Sequence, residues 1–190
     1  DTTAPSLWAA ADALACWVLG PSAVGTPFLD AVHGRRVLEL GSGTGLVGLA
    51  CAAAGAPSVV LTDLLCNVSR LERAIAMNTS IVGDRVTAAA LDWLDPGSSF
   101  ALKAMDTVVV ADCVYDLNLH EPLARLLAGF ARDHGARVFV ADEMRWQDVA
   151  GYWAEAHTAV GLKVGSVQKL NAHPAVPSSV YLTELCLSAT

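Results

Sequence analysis

The sequence predicts an α/β fold: a Rossmann-like, doubly wound, seven-stranded sheet that is mostly parallel and has one antiparallel strand near the C-terminus. The first observation behind this prediction is that apolar, strand-like runs alternate along the chain with helical patterns, as in βαβ units. The second is that several of these runs are continuously apolar, as expected for strands covered on both faces. The third is that only 16% of the 190 residues are charged, against about 25% in a typical domain. The length and even composition predict a single domain over residues 1–190.

Five predicted strands precede the C-terminal pair, and predicted helices connect them except between the third strand and the fourth. Consecutive strands joined through a helix run parallel, with right-handed crossovers. These strands cover residues 35–40, 58–63, 85–93, 106–112 and 136–142.

Helical periodicity and end signals predict the intervening helices. Gly55 and Gly135 each follow an apolar helical stripe and are typical C-terminal caps, and Asn67 is a candidate N-terminal cap. An amphipathic helix is also predicted ahead of the first strand. The five predicted helices cover residues 6–20, 45–54, 67–78, 119–133 and 146–160.

The C-terminal region breaks the alternation. Two further strands are predicted over residues 162–170 and 178–187, and the connector NAHPAVP between them is too short for a helix. Strands joined in this way are antiparallel. The core of the predicted domain therefore spans residues 35–188, with one reversed strand near its end.

Charge and cysteine content exclude several classes of protein. The formal net charge is −7 and the densest basic cluster is Arg35–Arg36, so no nucleic-acid surface is expected. The uncharged run over residues 40–62 contains five glycines and Pro57, which favours strand, turn and helix over a membrane span.

The five cysteines form no CxxC pair and the five histidines lack the spacing of metal ligands. We therefore expect buried thiols, no metal and a cytoplasmic or nuclear location. Because the chain begins at Asp1, we expect a processed or trimmed form.

A glycine-rich loop follows the first predicted strand and opens a helix. Glu39 precedes Gly41, Gly43 and Gly45, and the second strand ends at Asp63. Glycines in this position let the backbone approach a nucleotide-like cofactor closely. The dinucleotide fingerprint G-x-G-x-x-G needs glycine where this chain has Leu46, which disfavours a nicotinamide cofactor. A tight turn without a ligand is the other alternative.

The spacing E-x-G-x-G-x-G resembles motif I of class I S-adenosylmethionine-dependent methyltransferases. That resemblance implies that Glu39 and the three glycines face the methionine part of S-adenosylmethionine, with S-adenosylhomocysteine as product. It also implies that Asp63 accepts hydrogen bonds from both ribose hydroxyls. A carboxylate suits a vicinal diol because its two oxygens accept two bonds at once.

Further motifs narrow the resemblance. The segment LDW contains Asp92 and Trp93, and Asp112 to Tyr115 matches a DxxY signature. Together with Trp8, these motifs make residues 6–188 resemble the seven-β-strand, DxxY-type lysine methyltransferases of non-histone proteins (the methyltransferase-like 21 group). The resemblance implies that Asp92 and Trp93 lie beside the adenine and that Trp8 borders the cofactor. Methyl transfer to histidine or to a small molecule, and a non-catalytic adapter that binds the cofactor, are the alternatives.

The acceptor side of the expected site rests on Asp112 and Tyr115. Both follow the fourth predicted strand, at the carboxyl edge where open α/β sheets bind ligands. We expect Tyr115 to hydrogen-bond the acceptor amine and Asp112 to orient that amine or the amino group of the cofactor. The alternatives are that Asp112 caps a short helix over residues 113–117 or forms a turn, and that Tyr115 is a packing residue. Glu143 and Arg145 are weaker candidates at the same edge.

The expected partner is a protein substrate, and the enzyme is expected to act as a monomer. Relatives of the DxxY type carry a hairpin or longer extension ahead of the tryptophan, whereas five residues precede Ser6 here. Part of the substrate surface is therefore expected outside this chain.

Overall fold

Within the residues that the computed structural model describes (7–95, 105–143, 147–170 and 180–188), seven strands form one sheet. In chain order they are β1 Arg36–Leu40, β2 Ser58–Asp63, β3 Val86–Ala90, β4 Thr107–Ala111, β5 Arg137–Glu143, β6 Leu162–Leu170 and β7 Val180–Leu187. Their spatial order is β3-β2-β1-β4-β5-β7-β6. Strands β1 to β5 pair in parallel, whereas β7 is antiparallel to both β5 and β6. The predicted parallel sheet with one reversed strand is confirmed.

The helices are α1 Ala9–Val18, α2 Pro27–Val32, α3 Leu46–Ala53, α4 Leu65–Met77, α5 Thr79–Val82, α6 Leu117–His134 and α7 Gln147–Ala159, with a 3₁₀ turn at Pro21–Ala23. All five predicted helices differ from the observed bounds by only one to three residues at each end. Gly135 ends α6 with φ 65°, as predicted for a left-handed cap. Helices α2 and α5 were not predicted.

The predicted start of one helix and the predicted end of one strand are wrong. Helix α4 begins at Leu65, two residues early, so Asn67 is buried within the first turn and does not cap it. Strand β3 ends at Ala90, short of the predicted residue 93. The chain leaves the sheet there because the Asp92 carboxylate accepts a hydrogen bond from Leu94 N at 2.9 Å, which turns the backbone.

Hydrophobic side chains cover the sheet on both faces. Along β1, Val37 packs into a cluster with α1, α2, α3 and α4, whereas Leu38 packs into a second cluster with α6. Val109 and Val110 of β4 divide between the two faces in the same way. This alternation explains why the strands are continuously apolar.

The order of the strands reverses between β1 and β4. Leu40 of β1 lies beside Val110 of β4, and the connections from these two strands leave towards opposite sides. In an open parallel sheet this switch point creates a crevice at the carboxyl ends of the strands. None of the helices in the described part of the chain has the length and apolarity needed to cross a membrane.

Candidate functional site

A cavity of about 240 Å³ opens at this switch point. Two wider grooves lie along α6, but they contain only one of the predicted site residues, Trp93. The cavity instead collects eight of them from the loops after β1, β2, β3 and β4 and from the start of α1. Its lining consists of Trp8, Gly41, Gly43, Asp63, Leu64, Leu91, Asp92, Trp93, Leu94, Ala111, Asp112, Cys113, Tyr115 and Leu119.

The three glycines of the loop have different roles. All three adopt left-handed φ angles, 64° at Gly41, 54° at Gly43 and 80° at Gly45. A Cβ at Gly41 would lie 2.7 Å from Cys113 Sγ and 3.0 Å from Trp93 Cζ2, so the cavity walls are too close for any side chain there. Gly45 does not line the cavity; it is the N-cap of α3. The loop thus offers a bare backbone surface at Gly41 and Gly43, which fits a closely bound cofactor.

Asp63 fastens this loop to the end of β2. Its Oδ2 accepts a hydrogen bond from Gly43 N at 2.8 Å, and its Oδ1 accepts from Leu64 N and from Asn67 Nδ2, both at 2.8 Å. A carboxylate has about four acceptor positions. Oδ1 is therefore saturated, and the one position left on Oδ2 can take a single ribose hydroxyl and not both. The contribution of Asn67 was missed by the sequence analysis, although its i+4 spacing from Asp63 was a usable signal.

Glu39 lies beneath the loop and not in the cavity, contrary to its expected contact with a cofactor. It is 2% exposed, and its Oε2 accepts a hydrogen bond from Gly48 N in α3 at 2.9 Å. Burial raises the pKa of the Glu39 carboxyl to about 8. This side chain supports the turn between β1 and α3.

Asp112 combines an unusual backbone with a buried carboxylate. Its φ of 54° is the only positive value among the non-glycine residues that the structure describes. Its N–H donates to Ala141 O at 2.9 Å, and its Oδ2 accepts from Ala10 N, in the first turn of α1, at 2.8 Å. Because Trp8 at the N-cap provides no side-chain cap, Asp112, which directly follows β4, serves as the cap of α1.

The alternative that Asp112 caps a helix over residues 113–117 is not seen. The next helix, α6, begins at Leu117, and Asp116 is its cap, accepting from Asn118 N at 3.0 Å. The Asp112 carboxylate therefore both lines the cavity and holds Trp8 at the cavity wall through α1.

Tyr115 and Cys113 border the same end of the cavity. The Tyr115 side chain is 42% exposed, which leaves it accessible from the cavity mouth. Cys113 is buried, and its Sγ lies 3.3 Å from Ala111 O. Burial, reinforced by Asp63 and Glu39, raises the pKa of the Cys113 thiol well above its ordinary value, so the thiol stays protonated and unsuited to attack.

The remaining candidates separate into lining and non-lining residues. Asp92 and Trp93 lie in the cavity wall, and only Oδ1 of Asp92 is used in its backbone turn. Glu143 is the last residue of β5 and does not line the cavity, whereas Arg145 lies outside the described residues. Over the described ranges, no three His, Cys, Asp or Glu side chains are grouped so as to hold a metal ion.

Comparison with known sequences identifies what the chain resembles. Residues 1–157 match the sequence family described as lysine methyltransferase. Protein-lysine N-methyltransferase EEF2KMT of Mus musculus is 33% identical over 177 residues, which is 85% of this chain and 50% of that protein. Calmodulin-lysine N-methyltransferase of Arabidopsis thaliana is 38% identical over 101 residues, 52% of this chain and 33% of that protein.

The chain spans at most about half the length of these curated relatives. Protein-lysine N-methyltransferase rrg1 of Schizosaccharomyces pombe fits the same pattern: it is 30% identical over 100 residues, which is 48% of this chain and 33% of that protein.

Solved structures share the fold. The glycopeptide N-methyltransferase MtfA, in complex with S-adenosylmethionine, superimposes with a TM-score of 0.65 at 18% identity, covering 85% of each chain. Magnesium protoporphyrin IX methyltransferase from Synechocystis, with the same molecule bound, gives a TM-score of 0.63 at 18% identity, covering 94% of this chain and 78% of that one.

Proposed function

This chain belongs to the lysine methyltransferase family, and from that premise we propose that it transfers a methyl group from S-adenosylmethionine to a lysine side chain of a non-histone protein. The observation that carries the proposal is the single cavity at the switch point. It joins the bare glycine backbone and Asp63 on one side to Asp112 and Tyr115 on the other. A cofactor cradle and an acceptor position are thereby contiguous.

The residues present suit the cofactor. The backbone at Gly41 and Gly43 would hold the methionine part, and the remaining acceptor position on Asp63 Oδ2 would take one ribose hydroxyl. Asp92 lines the cavity, so its Oδ2 would accept from the exocyclic amine of the adenine, and Trp93 would offer an apolar face. When bound, S-adenosylmethionine would supply a sulfonium methyl group: the amine nitrogen would bond to the methyl carbon as the carbon–sulfur bond breaks in line, with S-adenosylhomocysteine as the leaving group.

The protein's task is then to present a neutral amine at short range and to keep water away. A free lysine has a pKa of about 10.4, so it must lose its proton before it attacks. We assign to Tyr115 the orientation of the amine through its hydroxyl group. Asp112 keeps Trp8 against the cavity and closes that side to water. Positioning contributes more here than proton transfer, because the buried Asp112 carboxylate is already engaged with α1.

Several properties support a protein acceptor. Two residues that line the cavity, Leu94 and Tyr115, are 67% and 42% exposed, so a lysine side chain carried on another protein could reach the cavity from solvent. The net charge of −7 suits a basic or neutral partner better than nucleic acid. We further propose one domain over residues 1–190, a monomer, and a cytoplasmic or nuclear location where the five unpaired cysteines stay reduced.

Two measurements test the proposal. In isothermal titration the protein should bind S-adenosylhomocysteine and not NAD; heat with NAD alone would contradict the methyltransferase function. The protein is then incubated with tritiated S-adenosylmethionine and a cell extract, and the labelled residue is identified by mass spectrometry. Label on lysine supports the proposal, label on histidine or on a small molecule changes the acceptor, and binding without any transfer favours an adapter.

Tyr115→Phe is the matched variant for the acceptor role, because it retains the ring and removes only the hydroxyl. Turnover on the identified substrate should fall by roughly tenfold to a thousandfold while S-adenosylhomocysteine affinity is unchanged. Transfer at the wild-type rate would exclude the hydroxyl from the reaction.

A further inference from the structure

The loop that connects β4 to α6, residues 112–116, carries both acceptor-side residues of the site. Its first part is well fixed. Asp112 is bonded to Ala141 O through its N–H and to Ala10 N through its carboxylate, and Cys113 Sγ lies 3.3 Å from Ala111 O. None of these three contacts involves the peptide that immediately precedes Tyr115.

That peptide is held by His120 of α6. The His120 ring is 3% exposed, and its Nε2 lies 2.8 Å from Val114 O. A carbonyl oxygen can only accept, so Nε2 carries the proton and donates it to this bond. Rotation of the peptide between Val114 and Tyr115 would break the bond, and the bond therefore opposes movement of the Tyr115 side chain.

In this tautomer the other ring nitrogen, Nδ1, is a hydrogen-bond acceptor. Over the described residues, the buried Nδ1 of His120 has no hydrogen-bond partner. Burial of an unpaired polar atom costs about 1–3 kcal/mol, and an apolar residue such as leucine would avoid that cost. Packing alone therefore does not explain a histidine at this position, whereas a donor aimed at Val114 O does.

A column of rings holds His120 in place. The His120 ring lies edge-to-face with Trp153 of α7, with centroids 5.6 Å apart, and Trp153 is arranged likewise with His157 at 5.6 Å. At the far end, His157 Nδ1 lies 3.3 Å from Leu162 O in β6. The two histidines are thus similar in burial and in bonding, but only His120 contacts the loop with Tyr115.

We propose that His120 is a positioning residue for methyl transfer, which fixes Tyr115 by donating a hydrogen bond from Nε2 to the carbonyl of Val114. The proposal rests on the proposed function, in which the Tyr115 hydroxyl orients the acceptor amine. His120 touches neither cofactor nor acceptor and acts through the backbone alone. His157, at the other end of the column, provides a matched control within the same fold.

The experiment compares His120→Leu, His120→Gln and His120→Asn with His157→Leu. Leucine removes the donor, glutamine places an amide N–H near the position of Nε2, and asparagine is too short to do so. We expect kcat on the identified substrate to fall about tenfold in His120→Leu and His120→Asn, the equivalent of one ordinary hydrogen bond. The S-adenosylhomocysteine Kd should change less than about twofold, and His120→Gln should recover most of the activity.

A second readout does not depend on turnover. Hydrogen exchange of a peptide spanning residues 112–118, measured without cofactor, should be faster in His120→Leu and His120→Asn and near wild type in His120→Gln. His157→Leu should lower Tm but leave both kcat and exchange of this peptide unchanged.

The outcomes separate the two proposals. If the wild-type protein methylates no acceptor, the proposed function fails, and hydrogen exchange still decides the role of His120. If His120→Asn and His120→Gln behave alike in exchange and kcat, or if His157→Leu lowers kcat as much as His120→Leu, the positioning role is overturned. Should His120→Leu fail to fold, the comparison of glutamine with asparagine remains decisive.

Discussion

Replacement of Asp63 by alanine tests whether this carboxylate holds both the glycine loop and the cofactor. The side chain accepts three hydrogen bonds of 2.8 Å each, from Gly43 N, Leu64 N and Asn67 Nδ2, and has one acceptor position left. Alanine removes all four at once. Both protein stability and cofactor affinity should therefore decrease.

The two decreases can be estimated separately. A hydrogen bond to a charged group contributes about 1.5–3 kcal/mol, but Asp63 is only partly buried and water can replace part of the loss. We therefore expect a destabilisation of about 2–4 kcal/mol for the three bonds together. For a domain of this size that lowers Tm by roughly 4–16 °C. The lost bond to a ribose hydroxyl, again about 1.5–3 kcal/mol, raises the S-adenosylhomocysteine Kd by about tenfold to a hundredfold.

Asp63→Asn separates the two effects. The amide oxygen can replace Oδ1, which has two donors, but the NH₂ group then faces the N–H of Gly43, and two donors cannot bond. Affinity should fall nearly as much as in Asp63→Ala, whereas Tm should fall less. Calorimetric titration and thermal unfolding of the same samples give the two numbers.

Asp106 provides the control at the opposite edge of the sheet. Its carboxylate also accepts three hydrogen bonds, all from Arg36, at 2.9, 3.1 and 2.9 Å, and the Arg36 guanidinium lowers the pKa of Asp106 to about 2. Asp106→Ala should lower Tm without changing Kd. An unchanged Kd in Asp63→Ala, or an equal change in Asp106→Ala, would refute the assignment.

Three further variants test other parts of the site. Gly41→Ala places a Cβ 2.7 Å from Cys113 Sγ, at a residue whose φ is 64°. Both Tm and the affinity for S-adenosylhomocysteine should therefore fall. If the clash with Cys113 causes the lower Tm, the double variant with Cys113→Ala should recover part of it. In Glu39→Gln, urea unfolding at pH 5 and pH 8 should show less loss of stability with rising pH than in the wild type. This follows because the folded pKa of Glu39 of about 8 lies above its unfolded value, so wild-type stability decreases across that window; parallel pH profiles would contradict it. Asp112→Asn keeps an oxygen for α1 and tolerates a left-handed φ, so its Tm should exceed that of Asp112→Ala; equal Tm values would argue against the capping role.

Most of the fold could be predicted because its signals are local. Continuous apolar runs indicate burial on both faces of the sheet, and the short connector after residue 170 indicates that the strands before and after it are antiparallel. The short helices α2 and α5 were missed since four to six residues carry little periodicity, although Thr26 before Pro27 is a usable cap signal. The early start of α4 depends on the side chain of Asp63 accepting from Leu64 N, a contact that periodicity does not reveal.

In the candidate site too, local signals revealed some residues, whereas contacts between distant parts of the chain were not predicted. Residues at strand ends were found because parallel strands bring their carboxyl ends to one edge, which places Gly43, Asp63 and Asp112 together. Their partners were harder to find. The bond from Ala10 N to Asp112 joins residues 102 apart, and no spacing in the sequence reports it. Gly45 and Glu39 were assigned to the cofactor because a motif does not distinguish a residue that touches the ligand from one that supports the turn.

The backbone of Asp112 indicates why a carboxylate is needed at the end of β4. A left-handed conformation costs an ordinary residue roughly 1–2 kcal/mol, and glycine would adopt it without that cost. Such strain persists only where surrounding contacts enforce it. Here the N–H is bound to β5 through Ala141 O, and the carboxylate is bound to the first turn of α1 through Ala10 N. Glycine could not make the bond to Ala10 N, and this bond attaches α1, with Trp8 at its start, to the edge of the sheet that carries the cavity.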